Sequence, residues 1–145
     1  MYVFDLDGTL SIVGDRVGHL NEDPPNWDAF YARCGEDDVH RNVMRLYSIL
    51  HHNADGRIII LTGRRESCRQ DTIRWFGKWN IPRPAYLLMR PNGDYVHDTE
   101  LKPRLLRDIG ATPDTVTGIF EDRNSVVKEW RRLGYTCFQV AEGDF

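Results

Sequence analysis

The stretch YVFDLDGTL at residues 2–10 joins strand-forming residues to two aspartates that are separated by one position. Its first three residues favour extended structure and burial. Asp5 and Asp7 do not, because unpaired buried carboxylates are costly, and the two-residue period of a strand lets both point to the same side. Their repulsion is tolerated where a cation lies between them. The stretch therefore predicts a metal or substrate site within the first residues of the chain.

The bulk composition is typical of a soluble, globular chain of one domain, which we expect to span residues 1–145. Hydrophobic residues make up 41% of the chain and charged residues 28%, and this length suffices for a sizeable core. The net charge of −3 indicates no broad basic surface, so any contact with nucleic acid would be local. The three cysteines lack C-x-x-C spacing and favour a reducing cytoplasm over a disulfide framework or a zinc site. Without a signal peptide or an apolar run of ~20 residues, the sequence predicts a cytoplasmic protein that does not contact membranes.

Apolar runs and helical periodicity alternate along the chain. The apolar runs predict strands at 2–6, 57–61, 85–89, 116–120 and 136–140. The periodicity predicts helical regions at 26–53, 66–79, 100–110 and 123–133, and glycine in NADG (53–56) and LG (133–134) marks two helix ends. We therefore expect an α/β fold, with a three-layer, Rossmann-like open parallel sheet of about five strands and helices on both faces.

Three of these predicted strands end in polar or charged side chains. Those side chains are Asp5 and Asp7 after the first strand, Thr62, Gly63 and Arg64 in LTGR after the second, and Glu121 and Asp122 in FEDR after the fourth. In open α/β sheets, ligands bind at the carboxyl ends of the strands. Polar residues at one strand end would be unremarkable, but their presence at three predicts a binding site at this edge.

The residue types at this edge favour phosphoryl transfer. A carboxylate that approaches a phosphate dianion is repelled, so its attack requires cations that neutralise the charge. We expect Asp5 to be the nucleophile that forms an aspartyl-phosphate, and Asp122 to share a Mg²⁺ ion with it. Asp7 would protonate the leaving alkoxide and then activate water. Thr62 offers a hydroxyl and a backbone amide to the phosphate.

Lys102 in HDTELKPRL is the candidate for a further cation. A lysine near a helix N-terminus opposes the helix dipole unless an anion is present, and a bound phosphate supplies one. Asp98, four residues earlier, could position the ammonium or could serve only as a residue at the helix start, which Thr99 could cap. A surface lysine is the alternative interpretation of Lys102.

The order D-x-D-G-T, L-T-G-R, a downstream lysine and an E/D-D pair resembles the four motifs of the haloacid dehalogenase superfamily. In that superfamily the second aspartate of the first motif marks phosphatases and phosphomutases. The residues to which the resemblance gives roles are Asp5 as nucleophile, Asp7 as acid/base, Thr62, Gly63 and Lys102 at the phosphate, and Asp5, Asp122 and the backbone carbonyl of Asp7 at Mg²⁺.

A more specific resemblance lies in residues 121–145, EDRNSVVKEWRRLGYTCFQVAEGDF. They resemble the C-terminus of the 3′-phosphatase domain in phage polynucleotide kinase-phosphatases. Arg16, Arg64 and Asp98 also fall where that family places functional residues. We expect the two arginines to bind the scissile phosphate or the next one bidentately, and ordinary salt bridges to the site's carboxylates are the alternative.

Two differences limit the resemblance. Thr62 and Glu121 stand where the phage enzyme has Ser and Asp, which are mild changes. The sequence also contains no G-x-x-x-x-G-K-[ST], the ATP-binding motif of the kinase half. We therefore expect a stand-alone phosphatase or an excised domain, whose kinase or ligase partner is a separate chain or a missing domain.

The gaps between the motifs leave little room for a cap domain. Residues 10–57 hold a loop and helices that the first crossover requires anyway, and RPNGDYVH (90–97) is typical of a tight turn. An open site suits a macromolecular end better than a small metabolite that must be enclosed.

Together these observations predict a capless, Mg²⁺-dependent phosphatase that acts on 3′-phosphorylated ends of DNA or RNA. The resemblance implies that a 2′,3′-cyclic phosphate could also be a substrate. A phosphatase for nucleotides or sugar phosphates is the first alternative. An inactive module that binds nucleic-acid ends is the second, and the intact set Asp5, Asp7, Lys102 and Asp122 argues against it.

Overall fold

Five parallel strands form the central sheet of the computed structural model, which describes residues 1–54 and 57–143. The strands in chain order are β1 (Tyr2–Phe4), β2 (Ser11–Ile12), β3 (Asp38–Val39), β4 (Ile58–Arg65), β5 (Tyr86–Arg90), β6 (Gly118–Arg123) and β7 (Cys137–Gly143). The α-helices are α1 (Trp27–Ala32), α2 (Arg41–Asn53), α3 (Arg69–Lys78), α4 (Asp98–Asp108) and α5 (Asn124–Arg132), and 3-10 helices cover Gly14–Asn21 and Glu66–Cys68. The sheet has the order β5-β4-β1-β6-β7, while β2 and β3 form a separate antiparallel pair. The predicted α/β class with a five-stranded parallel sheet is confirmed.

Helices cover both faces of the sheet because successive residues of its strands point to opposite sides. Phe4 on β1 packs in one buried cluster with Tyr47 of α2 and Trp75 of α3. Its neighbour Val3 packs in a second cluster, with Trp130 of α5. The predicted three layers are therefore present. Within the described ranges, no helix is both long enough and apolar enough to cross a membrane.

The helical region predicted at 26–53 is interrupted, so this prediction is wrong in its middle. The helix α1 ends at Ala32, and the chain from 33 to 40 forms a turn and the strand β3, which pairs with β2. The reason is tertiary, since this loop brings the backbone carbonyl of Asp37 to the indole Nε1 of Trp75, at 2.8 Å. A hydrogen bond to a buried indole outweighs a weak local preference for helix.

The helix predicted at 100–110 begins earlier than expected, at Asp98. Thr99 does not cap it. Instead, the ring of His97 accepts a hydrogen bond from the Thr99 amide at 3.3 Å, and His97 is the N-cap residue.

Two sequence predictions concern glycines at helix ends. Gly134 follows α5 with a φ of 88°, which confirms the end predicted in LG. The end predicted in NADG includes residues 55–56, which lie outside the described residues, as do residues 144–145 of the C-terminal motif.

The strands β4 and β6 run beyond their predicted ends at 61 and 120. Each shifts register with its outer neighbour there, between Leu61 and Arg65 in β4 and between Glu121 and Arg123 in β6. Such irregularities re-aim side chains and are frequent next to active sites. The sheet edge that the sequence predicts as a binding site is therefore where the regular ladder ends.

Candidate active site

The first aspartate of the opening stretch follows β1 directly and lies beside the end of β6. The amide of Asp5 donates a hydrogen bond to the carbonyl of Phe120 at 2.9 Å. Asp5, Glu121 and Asp122 are buried and each offer a carboxylate oxygen, and these oxygens lie within 4.8 Å of one another. These three residues and Lys102 form what is called the acidic cluster below.

Lys102 on α4 supplies the ammonium group of the acidic cluster. Its Nζ donates to Asp5 Oδ1 at 2.7 Å and to Glu121 Oε2 at 2.6 Å, and the residue is 3% exposed. Burial opposes the charge of Lys102, but the carboxylates of Asp5 and Glu121 outweigh this effect and raise its pKa. The interpretation as a surface lysine is therefore wrong.

The excess of negative charge in the acidic cluster raises the pKa values of its carboxyl groups. Burial and the charge of Glu121 raise the pKa of Asp5 to about 7, despite the attraction of Lys102. Burial and the charge of Asp5 raise the pKa of Asp122 to about 6, and burial raises the pKa of Glu121. Three carboxylates share one ammonium, and a divalent cation that prefers oxygen ligands fits this excess.

Two glycines leave the space that the Asp122 carboxylate occupies. At Gly8, which has a φ of 88°, a Cβ would collide with this carboxylate. At Gly143, the last residue of β7, a Cβ would lie 2.7 Å from Asp122 Oδ2. Thr9 Oγ1 donates to Asp122 Oδ1 at 3.2 Å. The carboxylate is thus held between the loop after β1 and the end of β7.

Asp7, the second aspartate of the stretch, belongs to a different set of charges. Arg64 Nη2 lies 2.6 Å from Asp7 Oδ1 and 2.9 Å from Asp37 Oδ2. Arg16 Nη2 lies 2.5 and 2.6 Å from the same two atoms. These four residues form the arginine cluster. Burial alone would raise the pKa of Asp7, but Arg64 and Arg16 hold it well below its usual range.

Carboxylates hold both guanidinium groups of the arginine cluster. Arg16 and Arg64 therefore form salt bridges to carboxylates of the site, which is the alternative to phosphate binding that the sequence left open. Arg16 also stacks on Phe30, with its Cζ 4.4 Å from the ring centroid. Asp37 was not among the residues predicted from the sequence. No motif marks it, because it lies 21 positions from Arg16 along the chain and becomes its partner only through the fold.

Thr62 and Gly63 lie where β4 leaves the regular ladder. Thr62 is fully buried, and its Oγ1 accepts a hydrogen bond from the amide of Arg64 at 3.2 Å. The carbonyl of Gly63 accepts from the Tyr31 hydroxyl at 3.0 Å and from Arg90 Nε at 3.1 Å. The backbone of this predicted phosphate-binding segment is therefore held from two sides.

Asp98 pairs with two arginines rather than with Lys102. Arg90 Nη2 lies 2.5 Å from Asp98 Oδ1, and Arg123 Nη1 lies 2.9 Å from Oδ2. The expectation that Asp98 positions the Lys102 ammonium is corrected accordingly. The acidic cluster holds that ammonium, and Asp98 acts on it only through its charge, which favours the protonated form.

Arg90, at the end of β5, is a site residue that the sequence reasoning missed. Its guanidinium donates to the carbonyls of Gly63, Asp94 and Val96 and to Asp98 Oδ1. It thus ties the segment after β4 to the loop that precedes α4. The rule that ligands bind at the carboxyl ends of strands applies to β5 as well, so an arginine at this strand end was the available signal.

The acidic cluster opens into a cavity of about 230 Å³. Other side chains that line it include Asp7, Thr62, Arg65, Arg90, Asp98 and Arg123, with the aromatic residues Trp27, Phe30, Tyr31 and Tyr95. Among the described residues, Arg16, Arg64 and Asp37 do not line it. The cavity therefore presents carboxylates, an ammonium, guanidinium groups and aromatic rings to one ligand.

The parallel sheet and the carboxylate–lysine site at its edge define the class of haloacid dehalogenase-type phosphatases. The family model of the polynucleotide kinase PNKP phosphatase domain matches residues 1–145, and the chain belongs to this family. The predicted phosphatase class and the predicted resemblance are thereby confirmed.

The relatives of the chain are longer proteins. A protein of Autographa californica nuclear polyhedrosis virus, named as a bifunctional polynucleotide kinase/RNA ligase, is 29% identical over 137 residues, which cover 94% of this chain and 18% of that protein. A chain in the structure of the Pnkp1/Rnl/Hen1 complex is 33% identical, with a TM-score of 0.81. The match covers 99% of this chain and 46% of that chain. A chain in the Pnkp1/Rnl/Hen1 RNA repair complex is 34% identical, with a TM-score of 0.82. That match covers 99% of this chain and 43% of the other chain. The chain thus spans less than half the length of each of these relatives.

Proposed function

We propose that residues 1–145 form a single, capless domain that removes the 3′-phosphate from DNA or RNA ends and also accepts a 2′,3′-cyclic phosphate. The acidic cluster carries this proposal. Three buried carboxylates around one ammonium are costly for folding. Their position at the ligand-binding edge of the sheet supports a catalytic role for them.

Asp5 is the nucleophile in this proposal. Its carboxylate oxygen attacks the phosphorus, the bond between phosphorus and the 3′ oxygen breaks, and the leaving alkoxide takes a proton from Asp7. In the second step Asp7 removes a proton from water, the water oxygen attacks the phosphorus, and the bond to Asp5 breaks and releases phosphate. Lys102, 2.7 Å from Asp5 Oδ1, offsets the charge that gathers on the phosphoryl oxygens. Thr62 and Gly63 bind these oxygens.

The arginine cluster prepares Asp7 for the second of these steps. Because Arg64 and Arg16 hold its pKa low, Asp7 is ionised, which is the form that a general base requires. For the first step Asp7 must carry a proton. Asp7 lines the cavity, so the negative charge of a bound substrate phosphate beside it raises the proton affinity of Asp7.

Mg²⁺ is the metal that we assign to the acidic cluster. The donor set fits it, since three carboxylate oxygens lie within 4.8 Å of one another and Mg²⁺ prefers oxygen ligands. Asp5, Asp122 and the backbone carbonyl of Asp7 would hold the ion, with Glu121 beside them. When bound, it neutralises negative charge on the nucleophile and the phosphate.

The names of the relatives support nucleic-acid ends as the substrate. The viral relative is named as a polynucleotide kinase/RNA ligase, and one structural relative belongs to an RNA repair complex. In our proposal this chain works in the cytoplasm beside a kinase or ligase, which is a separate chain or another domain of the same protein.

The test is Mg²⁺-dependent phosphate release from a short 3′-phosphorylated oligonucleotide, compared with its 5′-phosphorylated isomer and a 3′-mononucleotide. The variant Asp5→Asn serves as the blank. A strong preference for the 3′-phosphorylated oligonucleotide is expected. Equal or better turnover of the mononucleotide would favour a small-molecule phosphatase, and equal release by Asp5→Asn would contradict the assigned nucleophile.

A further inference from the structure

The cavity at the acidic cluster has an aromatic side that the proposed chemistry does not use. Trp27 from α1 and Tyr95 from the loop between β5 and α4 both line the cavity. Trp27 is 40% exposed and Tyr95 is 82% exposed. Exposed aromatic rings are ordinary when scattered, but these two share a cavity with Asp5, the proposed nucleophile.

Trp27 is held in place by its neighbours on α1. Its ring stacks on that of Tyr31 with centroids 6.0 Å apart and an interplanar angle of 25°, and it meets Phe30 edge-on at 5.8 Å. Arg65 lies over the Tyr31 ring at 5.4 Å and pairs with Asp28 at 2.7 Å. The packed neighbours therefore orient Trp27, while its remaining surface faces the cavity.

The aromatic side is also fixed relative to the phosphate-binding segment. The Tyr31 hydroxyl donates to the Gly63 carbonyl at 3.0 Å, and Gly63 follows Thr62 directly. On the other side, Arg90 bonds both the Gly63 carbonyl and the carbonyls of Asp94 and Val96, which flank Tyr95. Trp27 is thus linked to Gly63 through its stacking on Tyr31, and Tyr95 is linked to Gly63 through the backbone carbonyls that Arg90 holds. Both exposed rings are therefore fixed relative to the predicted phosphate-binding segment.

We propose that Trp27 and Tyr95 form a stacking subsite for the nucleobase of the nucleotide that carries the 3′-phosphate. This inference rests on the proposed function, because it places the phosphate at Thr62 and Lys102. Stacking on aromatic rings accepts every base, since every base has a π-face. Such a subsite suits an enzyme that must act on strand ends of any sequence. The volume of about 230 Å³ is below the ~300–1,000 Å³ of pockets that enclose drug-sized ligands, so only the terminal nucleotide is held.

The test uses two 3′-phosphorylated oligonucleotides that differ only in their terminal nucleotide, which carries a base in one and is abasic in the other. The ratio of kcat/KM for the two substrates isolates the base contact. We expect the natural chain to prefer the base-bearing substrate by about tenfold. Trp27→Ala and Tyr95→Ala should each lower this ratio, and Trp27→Phe should retain most of it.

Tyr86→Ala is the matched control, because Tyr86 is 49% exposed but, among the described residues, does not line the cavity. Its ratio should equal that of the natural chain. A partly unfolded variant loses turnover of both substrates equally, so the ratio still reports on stacking. A ratio that both alanine variants leave unchanged would overturn the subsite.

A failure of the proposed function gives a different result. If the natural chain released phosphate from neither oligonucleotide, the phosphatase assignment would fail on its own. Equilibrium binding of the same two oligonucleotides in EDTA, followed by fluorescence anisotropy, then decides the subsite. The subsite is supported if the base-bearing strand binds more tightly than the abasic strand and Trp27→Ala abolishes this preference. Equal binding of both strands overturns the subsite.

Discussion

The acidic cluster and the arginine cluster lie at the same sheet edge, but their charges are balanced differently. The acidic cluster sets three carboxylates against one ammonium, whereas the arginine cluster sets two carboxylates against two guanidinium groups. Accordingly, the pKa of Asp5 is raised to about 7 and that of Asp7 is held below its usual range. Two aspartates that are separated by a single residue therefore occupy opposite electrostatic environments.

This difference in charge balance distinguishes the acidic cluster, which needs a bound cation, from the arginine cluster, which supports the site without one. A buried ion pair is stable when every charge has a partner, and it is costly when one is left over. The arginine cluster is complete without a ligand and holds the loop that carries Asp37. The acidic cluster becomes neutral only when a cation arrives. Removing a negative charge should therefore have opposite effects on stability in the two clusters.

The largest effect is expected at the nucleophile of the acidic cluster. Asp5→Asn should lower Mg²⁺-supported phosphate release from a 3′-phosphorylated oligonucleotide by about a thousandfold or more, because the attacking oxygen is lost. Steady-state phosphate release measures it. The control variant Asp71→Asn changes a half-buried residue of α3 that pairs with Arg74 and lies outside the cavity, and it should match the natural chain. A loss of less than tenfold in Asp5→Asn would assign the nucleophile to another residue.

The next effect concerns the arginine cluster. Burial raises the pKa of Asp37, and asparagine would avoid this cost of burying its charge. However, Asp37→Asn also leaves two buried guanidinium groups with one carboxylate between them, and this loss outweighs the gain, so the free energy of unfolding should fall by about 3–5 kcal/mol. Urea denaturation with an unchanged m-value measures this loss. The neighbouring variant Glu36→Gln removes only an exposed pair with Arg33 and should stay within about 0.5 kcal/mol. A loss in Asp37→Asn that is no larger would mean that the arginine cluster does not hold the fold.

Mg²⁺ should stabilise the natural chain through the acidic cluster. At a hundred times its Kd, a ligand that binds only the folded state adds about 2.7 kcal/mol to the free energy of unfolding. Thermal unfolding in EDTA and in Mg²⁺ measures the gain, which should be strongly reduced in Asp122→Asn and retained in Asp37→Asn at its lower baseline. An equal gain in Asp122→Asn would place the ion elsewhere.

The smallest effect has the opposite sign to that of Asp37→Asn. In EDTA at pH 8, Asp122→Asn should raise the free energy of unfolding by about 1–2 kcal/mol. The folded-state pKa of Asp122 is raised to about 6, so its ionisation at pH 8 costs the folded state more than the unfolded one, and asparagine avoids this cost. Urea denaturation of both proteins in EDTA checks the sign, and a loss of stability would show that the two clusters do not differ as described.

The sequence predicted the carboxylates of the acidic cluster because strand geometry alone brings them together. Asp5 directly follows β1, and Glu121 and Asp122 lie at the end of β6. The carboxyl ends of such parallel strands meet at one edge. The same rule holds for Arg90 at the end of β5.

Contacts that depend on the path of a loop could not be predicted in this way. Asp37 reaches Arg16 through a segment that local periodicity assigns to a helix. Tertiary contacts interrupt that helix, among them the hydrogen bond from Trp75 to the Asp37 carbonyl and the pairing of β3 with β2. Helical spacing likewise suggested that Asp98 faces Lys102. At the first position of α4 it instead faces Arg90 and Arg123, which come from other strands.

The Asp122 carboxylate occupies a space that exists because Gly8 and Gly143 have no side chains. A methyl group at Gly143 would therefore displace this carboxylate by steric clash, while every charged residue of the site stays in the sequence. Gly143, unlike Gly8, does not have a positive φ, so alanine suits its backbone. Gly143→Ala would thus give an inactive protein that keeps all charged residues of the site. Such a variant would serve as a reagent that binds strand ends without dephosphorylating them.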